Sequence, residues 1–67
     1  MLKGEVKSFD EQKGWGFITV PDEGEIFVHY SGIEGHSRRV LHPGESVSLV
    51  IVQGKKGPMA AHVRVIR

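Results

Sequence analysis

Lys13-Gly14-Trp15-Gly16-Phe17-Ile18, followed after a short acidic turn by Ile26-Phe27-Val28-His29-Tyr30, is the stretch whose reading decides how this chain folds. The three Phe, the one Trp and the one Tyr of the sequence all fall between Phe9 and Tyr30. Alternate side chains of a strand point to opposite faces, so Trp15 and Phe17 share one face while Gly14, Gly16 and Ile18 share the other. Phe27 and His29 share a face in the same way. Ile18, Ile26 and Val28 supply an apolar inward face for the same two strands, which leaves the rings surplus to the core. Glycine beside a ring weakens a strand and offers nothing to pack on, but it lets another backbone approach closely and the sheet curl. With Lys13 and His29 as flanking polar donors, the pattern predicts rings held outward to stack on nucleobases. The competing reading is cross-strand packing of aromatics, the commoner use of such residues in sheets.

Working outward, Leu2 to Phe9 reads as a first strand with Val6 inward and Lys3, Glu5, Lys7 and Phe9 on the opposite face. Asp10 to Gly14 is a polar turn into a second strand, roughly Trp15 to Val20. Pro21-Asp22-Glu23-Gly24 is the next turn, with proline presetting its second position and glycine accepting positive φ. The strand from Glu25 or Ile26 to Tyr30 then returns antiparallel, and three strands form a meander. Ser31 to Pro43 loses the period, with room for one short helical turn over Ser31–Gly35 and a polar loop at His36–Arg39. A fourth strand over Ser46–Val52 places Val47, Leu49 and Ile51 inward. After the basic hairpin loop Gln53–Pro58, a fifth strand from Met59 to Ile66 places Ala61, Val63 and Val65 inward. The expected fold is all-β: a five-stranded antiparallel Greek-key barrel, partly closed, of the OB type, whose second and third strands form the usual oligonucleotide face. An SH3-like barrel needs as many strands in a similar length. The rings on strands two and three favour the OB arrangement.

Sixty-seven residues suffice for a single domain, 1–67, with a modest core. The absence of cysteine excludes disulfides and thiolate metal sites and suits a reducing compartment. No apolar run has the length of a membrane span or a secretory signal, so a soluble cytoplasmic protein is expected. The net charge of +1 says little about a polyanionic partner, but its distribution says more. Asp10, Glu11, Asp22, Glu23 and Glu25 lie largely in turns, while Lys7, Lys13, Arg38, Arg39, Lys55 and Lys56 are placed to ring the aromatic face. His29, His36, His42 and His62 are dispersed, with no helical i, i+4 pair and no acidic companion of the kind zinc hydrolysis needs. Gly14-Trp15-Gly16 precedes no helix and makes no phosphate loop. The sequence therefore gives no catalytic, metal or cofactor site, and the rival to nucleic-acid binding is a protein-binding β-barrel using its exposed aromatics.

From Met1 to about Val63 the chain resembles the bacterial cold-shock proteins without an insertion or deletion. Lys13-Gly14-Trp15-Gly16-Phe17-Ile18 is similar to the first ribonucleoprotein motif of that family, K-G-[FY]-G-F-I, and Ile26-Phe27-Val28-His29-Tyr30 to the second, V-F-V-H-[FY]. Val6-Lys7, Ser31-Gly32-Ile33, Pro43-Gly44-Glu45-Ser46-Val47, and Gly57-Pro58 followed by Ala60-Ala61 and Val63 support the match. The resemblance implies a five-stranded OB barrel that binds single-stranded RNA and DNA with little sequence preference and acts as a cytoplasmic RNA chaperone. It implies stacking by Phe9, Trp15, Phe17, Phe27 and Tyr30, stacking or donation by His29, and phosphate or base-edge contacts from Lys7, Lys13 and Lys56. Two positions depart from the pattern: Ser8 stands where an exposed Trp is usual, and Arg38 where the loop commonly presents a Phe. A guanidinium stacks on a base and pairs with phosphate, so Arg38 is expected to exchange ring contact for charge. A monomer with no cofactor, metal, membrane or small-molecule substrate completes the expectation.

Overall fold

Alternating polar and apolar residues set up β1 (Leu2–Asp10), β2 (Trp15–Val20), β3 (Gly24–His29), β4 (Ser46–Gly54) and β5 (Gly57–Val65) in the computed structural model, which describes residues 1–34, 41–55 and 57–66. The strands close into a barrel in the order β1-β2-β3-β5-β4. Four seams are antiparallel, and the fifth, β3 against β5, is a short parallel one that pairs Phe27 with Met59 and Val28 with Ala60. A ring with an odd number of strands cannot alternate direction at every seam. The expected partly closed antiparallel barrel is therefore a closed one with a single parallel join.

Between β2 and β3, Glu23 N–H donates to Val20 O at 3.0 Å, and Gly24 takes φ 86° as its pairing with Val20 begins. This is the turn read from Pro21-Asp22-Glu23-Gly24. The helical turn after β3 is a 3₁₀ turn, Tyr30–Gly32.

Among the described residues the core is wholly aliphatic. Val6, Ile18, Val20, Ile26, Val28, Ile33, Leu41, Val47, Leu49, Ala60 and Val63 are buried, and Phe9 and Ile51 pack half-buried against them. Ile33 and Leu41 come from the connection that sequence periodicity left as an irregular loop.

Two bulges correct the expected faces. On β1, Val6 pairs with Ile18 but Ser8 pairs with Phe17, so Lys7 is an extra residue and the alternation reverses beyond it. Phe9, expected on the face of Lys7, instead lies opposite buried Gly16 and packs against the core. On its other edge β1 runs past the end of β4 into the turn before it: Val6 N–H donates to Glu45 O at 2.9 Å, and Gly44 N–H to Val6 O at 2.8 Å. On β5 the register slips opposite Ser48–Val50, where His62 takes φ 52°. Ala60 is thus buried in place of the expected Ala61, Val63 is buried as expected, and Val65, the strand's last residue, is left 42% exposed.

Candidate nucleic-acid interface

The outward residues of β2 and β3 meet in register. Trp15 pairs with His29 and Phe17 with Phe27, so two cross-strand rows of rings lie side by side. Ring centroids are 5.9 Å apart for Trp15–Phe17, 6.0 Å for Trp15–Phe27 and 6.1 Å for Phe17–Phe27, with interplanar angles of 89°, 31° and 76°. These edge and tilted contacts steady the rings without covering them, and all four side chains are half-buried. Cross-strand packing and outward display are therefore both present. None of these four rings belongs to the buried core, and each is left partly exposed.

The close approach predicted beside the rings is at Gly16. A Cβ there would fall 2.1 Å from Ser8 O and 2.6 Å from Phe9 Cα. Only glycine lets β1 fold this tightly against β2, and that curl holds Ser8, Phe17 and Phe27 in one transverse row.

His29 and Tyr30 form the far end of the platform, with centroids 4.5 Å apart. His29 Nδ1 lies 3.3 Å from the Ser31 N–H and 2.8 Å from Ser31 Oγ. A backbone N–H can only donate, so Nδ1 accepts and the neutral ring carries its proton on Nε2. Asp10 Oδ1 accepts from the N–H groups of Gln12 and Lys13, each at 3.0 Å, and Gly14 N–H donates to Asp10 O at 2.7 Å. This closed turn brings exposed Lys13 beside a shallow recess lined also by Phe9, Gly14, His29 and Tyr30.

At the opposite end, Lys7 Nζ pairs with Glu25 Oε2 at 2.6 Å, both side chains being about half exposed. The cation expected for phosphate is thus held by a carboxylate in the free protein. Arg38 and Lys56 lie outside the described residues. Met59, missed in the sequence, stands beside Phe27 across the parallel seam and continues the transverse row onto β5. Its neighbour in the barrel is distant in sequence, so no local pattern could have placed it.

A family model described as the 'Cold-shock' DNA-binding domain matches residues 2–66. The chain belongs to the cold-shock domain family. This cold-shock domain is 49% identical over 65 residues to a cold shock-like protein of Thermotoga maritima, covering 97% of this chain and 98% of that one. It is 46% identical over 63 residues to the cold shock protein CspB of Bacillus caldolyticus, with 94% and 96% covered. A solved structure described as drosophila Unr CSD456 superposes with a TM-score of 0.80 at 19% identity, over 98% of this chain and 26% of that one, and so shares the fold. No helix among the described residues is long and apolar enough to cross a membrane, and they contain no group of His, Asp and Glu suited to hold a metal ion.

Proposed function

We propose that this cold-shock domain binds single-stranded RNA and DNA with little sequence preference and acts as a cytoplasmic, monomeric RNA chaperone with no enzymatic activity of its own. Bases stack on Trp15, Phe17, Phe27 and Tyr30, with His29 stacking or donating from Nε2. Lys13 meets phosphate, and Lys7 does so once it exchanges Glu25 for the ligand. Phe9 contributes the edge of its half-buried ring beside Lys13, and Arg38 and Lys56 add cations. The observation that carries this reading is the division of labour between an aliphatic core and a paired row of half-exposed rings. Stacking is sequence-tolerant because every base has a π face.

The test is titration of Trp15 fluorescence with oligonucleotides of matched length, single-stranded and duplex, at several salt concentrations. Quenching by the single strand is expected, with log affinity falling against log salt by about 0.7 for each phosphate contact. Equal affinity for the duplex would reduce the face to a merely electrostatic surface. No response to any oligonucleotide would point instead to a protein-binding barrel.

A further inference from the structure

At the His29 end of the platform, an exposed ring is carried by a segment that cannot hold itself. Tyr30 is 43% exposed and opens a 3₁₀ turn of three residues, too short to persist on its own hydrogen bonds. Its backbone is fixed by neighbours: Tyr30 N–H donates to Gly14 O at 2.8 Å, and its carbonyl accepts from Ile33 N–H at 3.1 Å. Ile33 is buried and bridges in parallel to Val63. Glu34 then closes the connection twice. Its N–H donates to Val63 O at 2.7 Å, while its carboxylate takes His62 Nδ1 on Oε2 at 2.6 Å and Arg64 Nε on Oε1 at 2.7 Å.

Both carboxylate oxygens are therefore used, by two residues that flank Val63 at the β5 bulge. His62 adopts φ 52° there, a left-handed conformation unfavourable for a residue with a Cβ. Hydrogen bonds from His62 and then Arg64 hold the Glu34 carboxyl below its ordinary pKa. β4, which pairs with this part of β5, has no charged or titratable side chain between Ser46 and Gly54, and the 3₁₀ turn brings only Tyr30. The charged partners that act on the Glu34 carboxyl are His62 and Arg64.

We infer that Glu34 is a positioning residue: its clasp on His62 and Arg64 anchors the 3₁₀ turn to β5 and thereby fixes the Tyr30 ring at the end of the platform. The consequence for ligand binding rests on the nucleic-acid reading, whereas the clasp can be tested on the free protein. In NMR spectra without ligand, Glu34→Gln is expected to move the Tyr30 amide and ring signals while those of Trp15 and Phe17 stay in place. Arg64→Gln should move the Tyr30 signals in the same direction. With a short oligo-deoxythymidine strand, Glu34→Gln is expected to weaken binding by about two- to five-fold, the scale of an exposed ion pair, and to have no effect in a Tyr30→Ala background. Unmoved Tyr30 signals in both variants would overturn the inference, as would equal losses of affinity in the two backgrounds. Should the Tyr30 signals move while even the unsubstituted protein fails to bind the strand, the clasp stands and the nucleic-acid reading falls.

Discussion

Phe17 and Phe27 each have one flank on neighbouring rings and are otherwise partly exposed, so truncating them removes exposed ring surface before it removes core. Phe17→Ala and Phe27→Ala are each expected to weaken single-strand binding by about 1–3 kcal/mol, the scale of one lost stack. Stability falls too, because the ring contacts are worth about 0.5–1.5 kcal/mol beyond their buried area. Val28 is fully buried, and Val28→Ala should cost stability alone. Loss of two carbons at about 0.8 kcal/mol each, with a cavity left behind, destabilises the barrel and leaves affinity per folded molecule unchanged. Fluorescence titration beside denaturant unfolding separates the two effects. A Phe17→Ala protein that unfolds earlier than Val28→Ala, yet binds as before, would assign the ring to the core. Ser8 is exposed and directly opposite Phe17, so it stands where a third ring would extend the transverse row. Ser8→Trp is accordingly expected to raise affinity by about 1 kcal/mol or more, and an unchanged titration would show that the ligand does not reach β1.

The elements owe their positions to places where strand alternation is broken. At Gly16 the constraint is space, since the atoms where a Cβ would sit are β1 backbone and cannot rotate aside. Gly16→Ala is expected to cost about 1–3 kcal/mol or more as an overpacked site, and to weaken binding because β1 is pushed away from Phe17. At Gly24 the constraint is φ alone, with no atom within 4 Å of an added Cβ. Gly24→Ala should cost only about 1–2 kcal/mol, with affinity intact. Denaturant midpoints that rank the two alike would remove the argument from close approach. The same breaks mark the limit of what could be read from the residues. Alternation located every strand and the facing rows of Trp15, Phe17, Phe27 and His29, because those stretches run without insertion. One extra residue at Lys7 reversed the face of Phe9, and the slip at His62 exchanged Ala61 for Ala60, since an inserted residue leaves no mark in a period of two. Ile33 and Leu41 are single apolar residues with no period around them. The Glu34 clasp joins residues 28 and 30 apart and has no local signal at all.

For the whole molecule, closure of the barrel removes unpaired strand edges, and what remains for partners is a face of rings and the charges around it. The lowered pKa of Glu34 gives stability one sign of pH dependence. A carboxyl depressed in the folded state stabilises it fully above its unfolded value, about 4.3 for an ordinary Glu, and loses that contribution as pH falls through the folded value. Glu34→Gln should therefore be the less stable protein at neutral pH and converge on the parent in acid, by less at high salt because the group is exposed. Equal thermal midpoints at neutral pH and low salt would contradict this. On the proposed function, chaperone action would follow from the same face by mass action. A ligand that binds only unpaired strands stabilises them by RT ln(1 + [P]/Kd), where [P] is free protein, or about 2.7 kcal/mol at a hundredfold excess over Kd. A base-pair step is worth about 1.4 kcal/mol by the DNA scale, so one bound domain offsets roughly two steps of a stem, and longer stems need several domains along the strand. RNA hairpin melting followed by absorbance should shift down with protein concentration, more for short stems than long ones. The shift should shrink sharply in Phe17→Ala and Phe27→Ala, whose charges are unchanged. A hairpin whose melting rises with protein, or falls equally with the ring-truncated variants, would mean that the paired form is bound or that charge alone acts, and the rings would have no part in the opening.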